Sequence, residues 1–444
     1  MKKMTRRQFI VNGSALLAAM MSGCRKTVSD LAGMKETEEA VKRVPVRPTR
    51  DKPNLLFVFF DDAGYGDFGA YGNRQIKTPV IDQIAQYGVK FTQMYAAAPV
   101  CSPSRAALLT GRYAQRVGIP DVLGPDAKTG IGKTEKTLAT YLKDQGYVSN
   151  MIGKWHLGSL PPFFPTKHGF DRFYGVLYSN DMEPFDLYEN EAMVQANVDK
   201  TKLAEWYSNE AIRFIETNKD RPFFVYLAHN YPHDPQMPPR EFAGKSEGGK
   251  YGDSLESADF YLGKIIETLK KNGILDNTII MVSSDHGPGR LGSTGGLRGR
   301  KFDVYEGGIR VPLVAQWNTV IPPGTVSGEV SSLMDIVPTI VSLAGGTVDS
   351  SRVDGKNMFP LLQGQGSSPH EELYFYYRNS LNAVRSGQWK LHIAKGTQGD
   401  KTGMPELYDL AADPGEKTNL ASRHPELVQA LTAKIRSFDQ NMKR

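Results

Sequence analysis

Cys101, Ser102, Pro103, Ser104 and Arg105 place a thiol, a rigid proline and a guanidinium within five residues, and the apolar run 106–109 follows at once. That run predicts a short helix that Ser104 caps and Gly111 ends. Cys101 would then stand just before a helix N-terminus, where unpaired N–H groups and the dipole favour an anion. Asp61 and Asp62 are adjacent carboxylates, the donor type a hard cation prefers. Asp285-His286 adds a carboxylate and an imidazole. Lys154, His156, His233 and Lys301 could hold an anion and move protons. Each has a plainer reading when taken alone: a half-buried cysteine, an Asp–Asp turn, a solvent-facing Lys-x-His, a basic surface loop.

The stretches in front of these residues tie them together. Residues 55–60 form a continuous apolar run, as expected of a strand buried on both faces of a parallel sheet, and 222–227 and 278–282 read the same way. Helical patterns lie between them: Thr78-Pro79 starts one that Gly88 stops, and 137–143 and 250–271 supply others. This alternation predicts an α/β fold, a mostly parallel sheet with helices on both faces. Ligands of such sheets bind outside the carboxyl ends of the strands. Asp61-Asp62, His156, His233 and Asp285-His286 each follow a predicted strand, so they could gather along one edge. The chain loosens after Gly345-Gly346, and then 373–377, 381–386 and 389–393 read as strands and 425–438 as an amphipathic helix. The expected division is a large domain over 53–346 and a smaller one, antiparallel sheet plus helix, over 347–444.

The dodecamer 101–112 closely resembles the signature of the type I sulfatases, in an arylsulfatase or N-acetylgalactosamine-6-sulfatase-like form. Gly153-Lys154-Trp155-His156-Leu157-Gly158 resembles the second signature of that family. The stretch 167–181 matches a segment of arylsulfatase-like relatives in which a hydroxyl at the place of Ser179 supports the site. The Pro-His-x-Pro pattern resembles that of the family's sulfate-contacting histidine, which implies His233 rather than His229, and Leu407-Tyr408-Asp409-Leu410 with Asp413-Pro414 resembles the pattern closing the small domain. The resemblance covers nearly all of the mature chain and implies an alkaline-phosphatase-like fold.

In that family a maturase oxidises the cysteine to formylglycine, whose hydrate attacks sulfur and is regenerated when the second hydroxyl loses its proton and expels sulfate. The resemblance implies calcium, or alternatively magnesium, at Asp61, Asp62, residue 101, Asp285 and His286. His286 stands where many members have Asn, which leaves the metal open, since calcium prefers oxygen donors. Arg105, Lys154 and Lys301 would neutralise the sulfuryl group. His156 would be the base that collapses the sulfated intermediate, and His233 with Lys301 would protonate the leaving oxygen. Ser179, Lys154, His233 and Lys301 would touch the substrate, a sulfated small molecule or saccharide. A phosphate or phosphonate ester hydrolase on the same scaffold, and a non-catalytic binder of sulfated glycans, are the alternatives.

The 444 residues leave room for a large core and two domains. Of the formal charge of +6, four units come from Lys2, Lys3, Arg6 and Arg7, and the +2 that remains is too little to suggest nucleic acid as a partner. With only Cys24 and Cys101, no disulfide framework is expected. Thr5-Arg6-Arg7-Gln8-Phe9-Ile10 looks like a twin-arginine export signal, and the weakly apolar 9–21 is too short to span a membrane. Met21-Ser22-Gly23-Cys24 resembles a lipobox. The expectation is a signal peptide over 1–23, lipidation of Cys24 and a charged tether over 24–52, giving an exported protein in the periplasm or on the cell surface that meets the membrane only through its lipid. A plain signal peptide with a coincidental cysteine is the alternative.

Overall fold

Leu55, Phe57 and Phe59 bury into one hydrophobic cluster, and Leu56, Val58 and Phe60 into another. This is what the two-residue period of a strand does to an apolar run that has protein on both sides. The run forms β1 (Asn54–Asp61) at the centre of the large sheet in a computed structural model that describes residues 52–393 and 404–442. The export signal, Cys24 and the tether up to residue 51 lie outside the described residues.

The other strands of this sheet are β2 (Val89–Tyr95), β3 (Val148–Lys154), β4 (Arg172–Val176), β5 (Leu187–Glu189), β6 (Ala192–Gln195), β7 (Phe223–Pro232), β8 (Thr278–Ser284), β9 (Arg310–Gln316), β10 (Thr325–Ser327) and β11 (Ser331–Ser332). Their order is β10-β2-β9-β8-β1-β7-β3-β4-β5-β6, with β11 also on β2. The block β8-β1-β7-β3-β4 is wholly parallel, with Phe57 level with Met281 on one side and Tyr226 on the other. Among the longer helices, α1 (Pro79–Tyr87), α4 (Leu203–Asn218) and α5 (Gly249–Lys271) cover the Leu56 face. The other face is covered by α2 (Cys101–Thr110), α3 (Leu138–Asp144) and α6 (Ile336–Leu343). The fold class is the one expected from the alternation of strands and helices.

Two features depart from the simple pattern. Between β8 and β2 runs β9, antiparallel to both, with Pro312 inside it. A proline cannot donate to a sheet ladder. The register of β2 shifts between Phe91 and Met94 opposite this residue, so Thr92 and Gln93 face Pro312 in a bulge that needs no donor there. The second is the predicted 222–227 strand, which runs on through His229 to Pro232.

The small sheet is an antiparallel meander of β12 (Glu372–Tyr377), β13 (Ser380–Ser386), β14 (Trp389–His392) and β15 (Glu406–Asp409). Leu381, Val384, Leu391 and Leu407 pack under Leu431 and Ile435 of the terminal helix α7 (Pro425–Met442). Leu373, Phe375, Tyr377 and Ala383 pack instead against Tyr95, Val100, Val304 and Ile309 of the large sheet and its loops.

Candidate active site

The parallel strands end together, and their ends carry the chemistry. Asp61 closes β1, Lys154 closes β3, and Asp285 follows β8 directly. Arg105, one turn into α2, donates from Nη2 to Asp285 Oδ2 at 3.0 Å and from Nη1 to the Lys154 carbonyl at 3.2 Å, with Asp61 Oδ1 at 3.4 Å from Nη2. Lys154 Nζ donates to Asp61 Oδ2 at 2.5 Å and to Ser179 Oγ at 3.1 Å. Lys301 Nζ bridges both Asp62 oxygens at 2.8 and 3.0 Å. His233 Nε2 stands 3.7 Å from Asp62 Oδ2. His286 Nε2 is 3.4 Å from Cys101 Sγ and 3.5 Å from both Asp62 Oδ1 and Asp285 Oδ1. Asp62 and His156 take positive φ values of 68° and 61°. Backbone of this kind is costly for residues other than glycine and is found where a site demands it.

The residues fit a metal. One donor atom each from Asp61, Cys101, Asp285 and His286 lies within 4.8 Å of the others, and Asp62, Cys101 and His233 form a second such group. Asp61 Oδ1 is buried and accepts no hydrogen bond, although a buried carboxylate oxygen ordinarily has a partner. His286 donates from Nδ1 to the Gly287 carbonyl at 2.8 Å, a bond that leaves Nε2 turned to the cluster. Electrostatics agree. Burial would raise the pKa of Asp61, but Lys154, His233 and Arg105 outweigh it and hold the group well below the usual carboxylate range. At Asp62 burial is outweighed by Lys301, His233 and His286. Burial wins at Asp285, whose pKa rises. It loses at His286, where Asp285 and Cys101 push the imidazole up to about 9. A centre that draws a proton onto a buried ring favours positive charge.

His156 is placed differently. Its Nε2 faces the Leu123 carbonyl at 2.9 Å, and its buried Nδ1 has no hydrogen-bond partner. Burial first, then Lys154 and Arg105, hold the ring well below its ordinary pKa, so it is neutral at pH 7. The other described candidates, Asp61, Asp62, Cys101, Arg105, Lys154, Ser179, His233, Asp285, His286 and Lys301, join one chain of contacts.

One expectation is corrected. Ser104 does not cap the helix, because α2 begins three residues earlier at Cys101 and takes Pro103 into its first turn, where a missing N–H costs nothing. Ser104 instead donates its hydroxyl to the Asp285 carbonyl. Gly111 ends the helix as expected, at φ 68°. Sequence reasoning missed Asn180. It is fully buried, and its amide donates to the carbonyls of Asn230 and His233, both at 3.3 Å, fixing the turn that presents His233. Only its place next to Ser179 hinted at this.

Cations converging on a buried thiol and a metal-type cluster, at the carboxyl edge of a parallel sheet, define a centre for transfer of an anionic group from an ester. The chain belongs to the sulfatase family and is a sulfuric ester hydrolase: the family model "Sulfatase" matches residues 53–346, and that for the "C-terminal region of aryl-sulfatase" matches 368–444. It is similar to human arylsulfatase A, 37% identical over 85% of this chain and 86% of that one. It also resembles dog N-acetylgalactosamine-6-sulfatase, 34% identical over 85% and 84%. A solved structure from work on glycosaminoglycan metabolism by Bacteroides thetaiotaomicron superposes with a TM-score of 0.82 at 27% identity, over 88% of this chain and 100% of that one.

Proposed function

We propose that the protein hydrolyses sulfate esters of saccharides, with residue 101 converted to formylglycine by a maturase and a divalent cation, calcium by preference, held by Asp61, Asp62, residue 101, Asp285 and His286. The observation that carries this reading is the gathering of Cys101 Sγ with donor atoms of Asp61, Asp285 and His286 from three distant segments. The saccharide substrate is inferred from the names of the N-acetylgalactosamine-6-sulfatase relative and of the glycosaminoglycan-related structure.

Hydrated formylglycine would supply a nucleophile that can be regenerated, and a cation held by these residues would supply Lewis-acid polarisation of a sulfate oxygen. The chain's own residues do the rest. Arg105, Lys154 and Lys301 surround the sulfuryl group with fixed positive charge, each contributing on the order of a few kcal/mol in a dry site. Ser179 orients Lys154 through their hydrogen bond. His233, beside Asp62 and near Lys301, holds the proton for the leaving oxygen. His156, neutral with its Nδ1 unpartnered, is assigned the proton-accepting role on the resemblance of 153–158 to the family's second signature.

Turnover of 4-nitrophenyl sulfate against 4-nitrophenyl phosphate, together with the mass of the peptide containing residue 101, tests this. Sulfate preference and a peptide about 18 Da lighter than the cysteine form are expected. Phosphate preference, or full activity with an unaltered thiol, overturns it.

Export with a lipid at Cys24 is part of the proposal and rests on the Arg6-Arg7 and Met21-Ser22-Gly23-Cys24 patterns. Replacing Cys24 by Ala should move the protein from the membrane fraction to the soluble fraction; an unchanged distribution refutes the anchor.

A further inference from the structure

The way into the site is set by burial. Asp61, Arg105, Lys154, Asp285 and His286 are fully buried, whereas Asp62, His233 and Lys301 keep some exposure, with 11% of the Lys301 side chain open. The site therefore meets solvent on the side of Asp62, His233 and Lys301. Beside the Lys301 ammonium stands Phe302.

Phe302 occupies an unfavourable position twice over. Asp303 donates its N–H to the Arg300 carbonyl at 2.8 Å, closing a tight turn with Lys301 and Phe302 at its centre. Phe302 has φ 78°, at the turn position where glycine or asparagine is the ordinary choice. A bulky side chain there is strained. The ring is also 40% exposed and belongs to none of the hydrophobic clusters of the described residues. Phe260, of similar exposure, at least packs on Phe242 and Tyr261. The Phe302 ring lies beside the Lys301 ammonium, which is 5.8 Å from its centroid. Neither turn chemistry nor core packing explains an aromatic residue here.

Its surroundings are held firmly. The Phe302 N–H donates to the Pro99 carbonyl at 2.9 Å, two residues before Cys101, and the Lys301 N–H donates to the Pro288 carbonyl at 3.0 Å. Arg300 Nη1 donates to the carbonyls of Gly289 and Gly292 at 2.6 and 2.9 Å. A Cβ on Gly289 would lie 2.8 Å from Asp62 Oδ2, so this neighbouring turn also lines the site. The ring is thus carried on a fixed support beside the ammonium that grips Asp62.

We propose that Phe302 is a specificity-determining residue, the platform on which the pyranose ring of the leaving group lays its C–H face while the ester sulfate is held by Lys301 and its neighbours. This rests on the sulfate-ester reading above and adds to it the part of the substrate that is not sulfate. A phenyl face offers no hydrogen bond, so it selects for a ring with a contiguous C–H patch and gives nothing to a leaving group without a ring.

The test compares wild type, Phe302→Gly and Phe302→Tyr on methyl sulfate, 4-nitrophenyl sulfate and N-acetylgalactosamine 6-sulfate. Glycine suits the backbone at this φ, so Phe302→Gly should melt no lower than wild type. It should lose about tenfold in kcat/KM on the two ring-bearing esters, chiefly through KM, and nothing on methyl sulfate, while Phe302→Tyr stays close to wild type. An equal loss on all three esters, or no loss on the ring-bearing pair, overturns the proposal. A wild type active on the aryl ester alone refutes the saccharide reading, and the platform is then judged on that ester. If no ester is cleaved, the sulfatase reading itself falls. Calorimetric binding of N-acetylgalactosamine 6-sulfate against inorganic sulfate then decides, with selective weakening of the sugar sulfate in Phe302→Gly supporting the platform and equal binding overturning it.

Discussion

Asp61 has one oxygen on Lys154 Nζ at 2.5 Å and one with no hydrogen bond at all. Hydrogen bonding alone would not leave a buried carboxylate so unevenly served, since an unsatisfied buried oxygen costs about 1–3 kcal/mol. A cation at the cluster would use that lone pair. Asp61→Asn keeps the shape and removes the charge, and it should weaken calcium binding by about 100-fold or more, read by titration calorimetry. Calcium affinity equal to that of wild type would remove Asp61 from the ligand set. At this scale the sequence was informative through the company residues keep: paired carboxylates, a thiol four residues from an arginine and Lys-x-His each read plainly alone, and gained meaning from the motifs and predicted strands around them. It was silent on Asn180 and on the bond from Ser104 to Asp285, because both join residues far apart in the chain whose nearness only the fold creates.

The elements must deliver their last residues to within a few tenths of an ångström, and glycines make this possible at β3. Gly153 has φ 99°, and a Cβ on it would lie 2.0 Å from the Ala228 carbonyl oxygen in β7. On the other side of β3, a Cβ on Gly175 of β4 would meet the Gly153 carbonyl oxygen at the same distance. The strands approach this closely just before Lys154 leaves the sheet. Gly153→Ala should therefore cost about 2–4 kcal/mol in urea unfolding and lower kcat by more than tenfold through displacement of Lys154. Stability and kcat near those of wild type would show that β3 can shift freely. Strands with unbroken apolar runs were legible because burial on both faces demands that composition. The antiparallel β9 was not, since Pro312 argues against an interior strand until the bulge in β2 that accommodates it is known.

On the scale of the whole molecule, the small sheet does more than lie beside the large one. Lys390 of β14, fully buried, lies 2.9 Å from Glu306 and 3.1 Å from Glu416. Glu416 also accepts from the Glu306 N–H at 2.6 Å and pairs with His392 at 2.7 Å. Arg298 donates to the Glu416 carbonyl at 3.0 Å and to Tyr408 Oη at 2.7 Å. The segment from Arg298 to Glu306, with Lys301 in its middle, is thus fastened to the C-terminal sheet at both ends. Lys390→Met should cost about 3–5 kcal/mol by leaving buried carboxylates short of a partner, and adding Glu306→Gln should recover part of that. Unfolding midpoints of the two variants check it, and equal midpoints for Lys390→Met and wild type would contradict it. Burial would raise the pKa of Glu306, but Lys390, Arg310 and Arg385 bring it down to about 2. A depressed folded-state pKa contributes stability that is complete above the unfolded value near 4.5 and is lost as pH falls towards 2. An acid melt should therefore weaken wild type across that window more than it weakens the variant carrying Glu306→Gln.

Cys101 is 2% exposed, and every residue of α2 down to Thr110 is buried with it. On the proposal that this thiol is converted to an aldehyde, an enzyme acting on it would need access that native packing closes off. Any conversion of this residue would consequently have to come before the core closes over it. Chain that folded with its thiol intact would then keep it, and the active fraction of a preparation would record which of the two events came first.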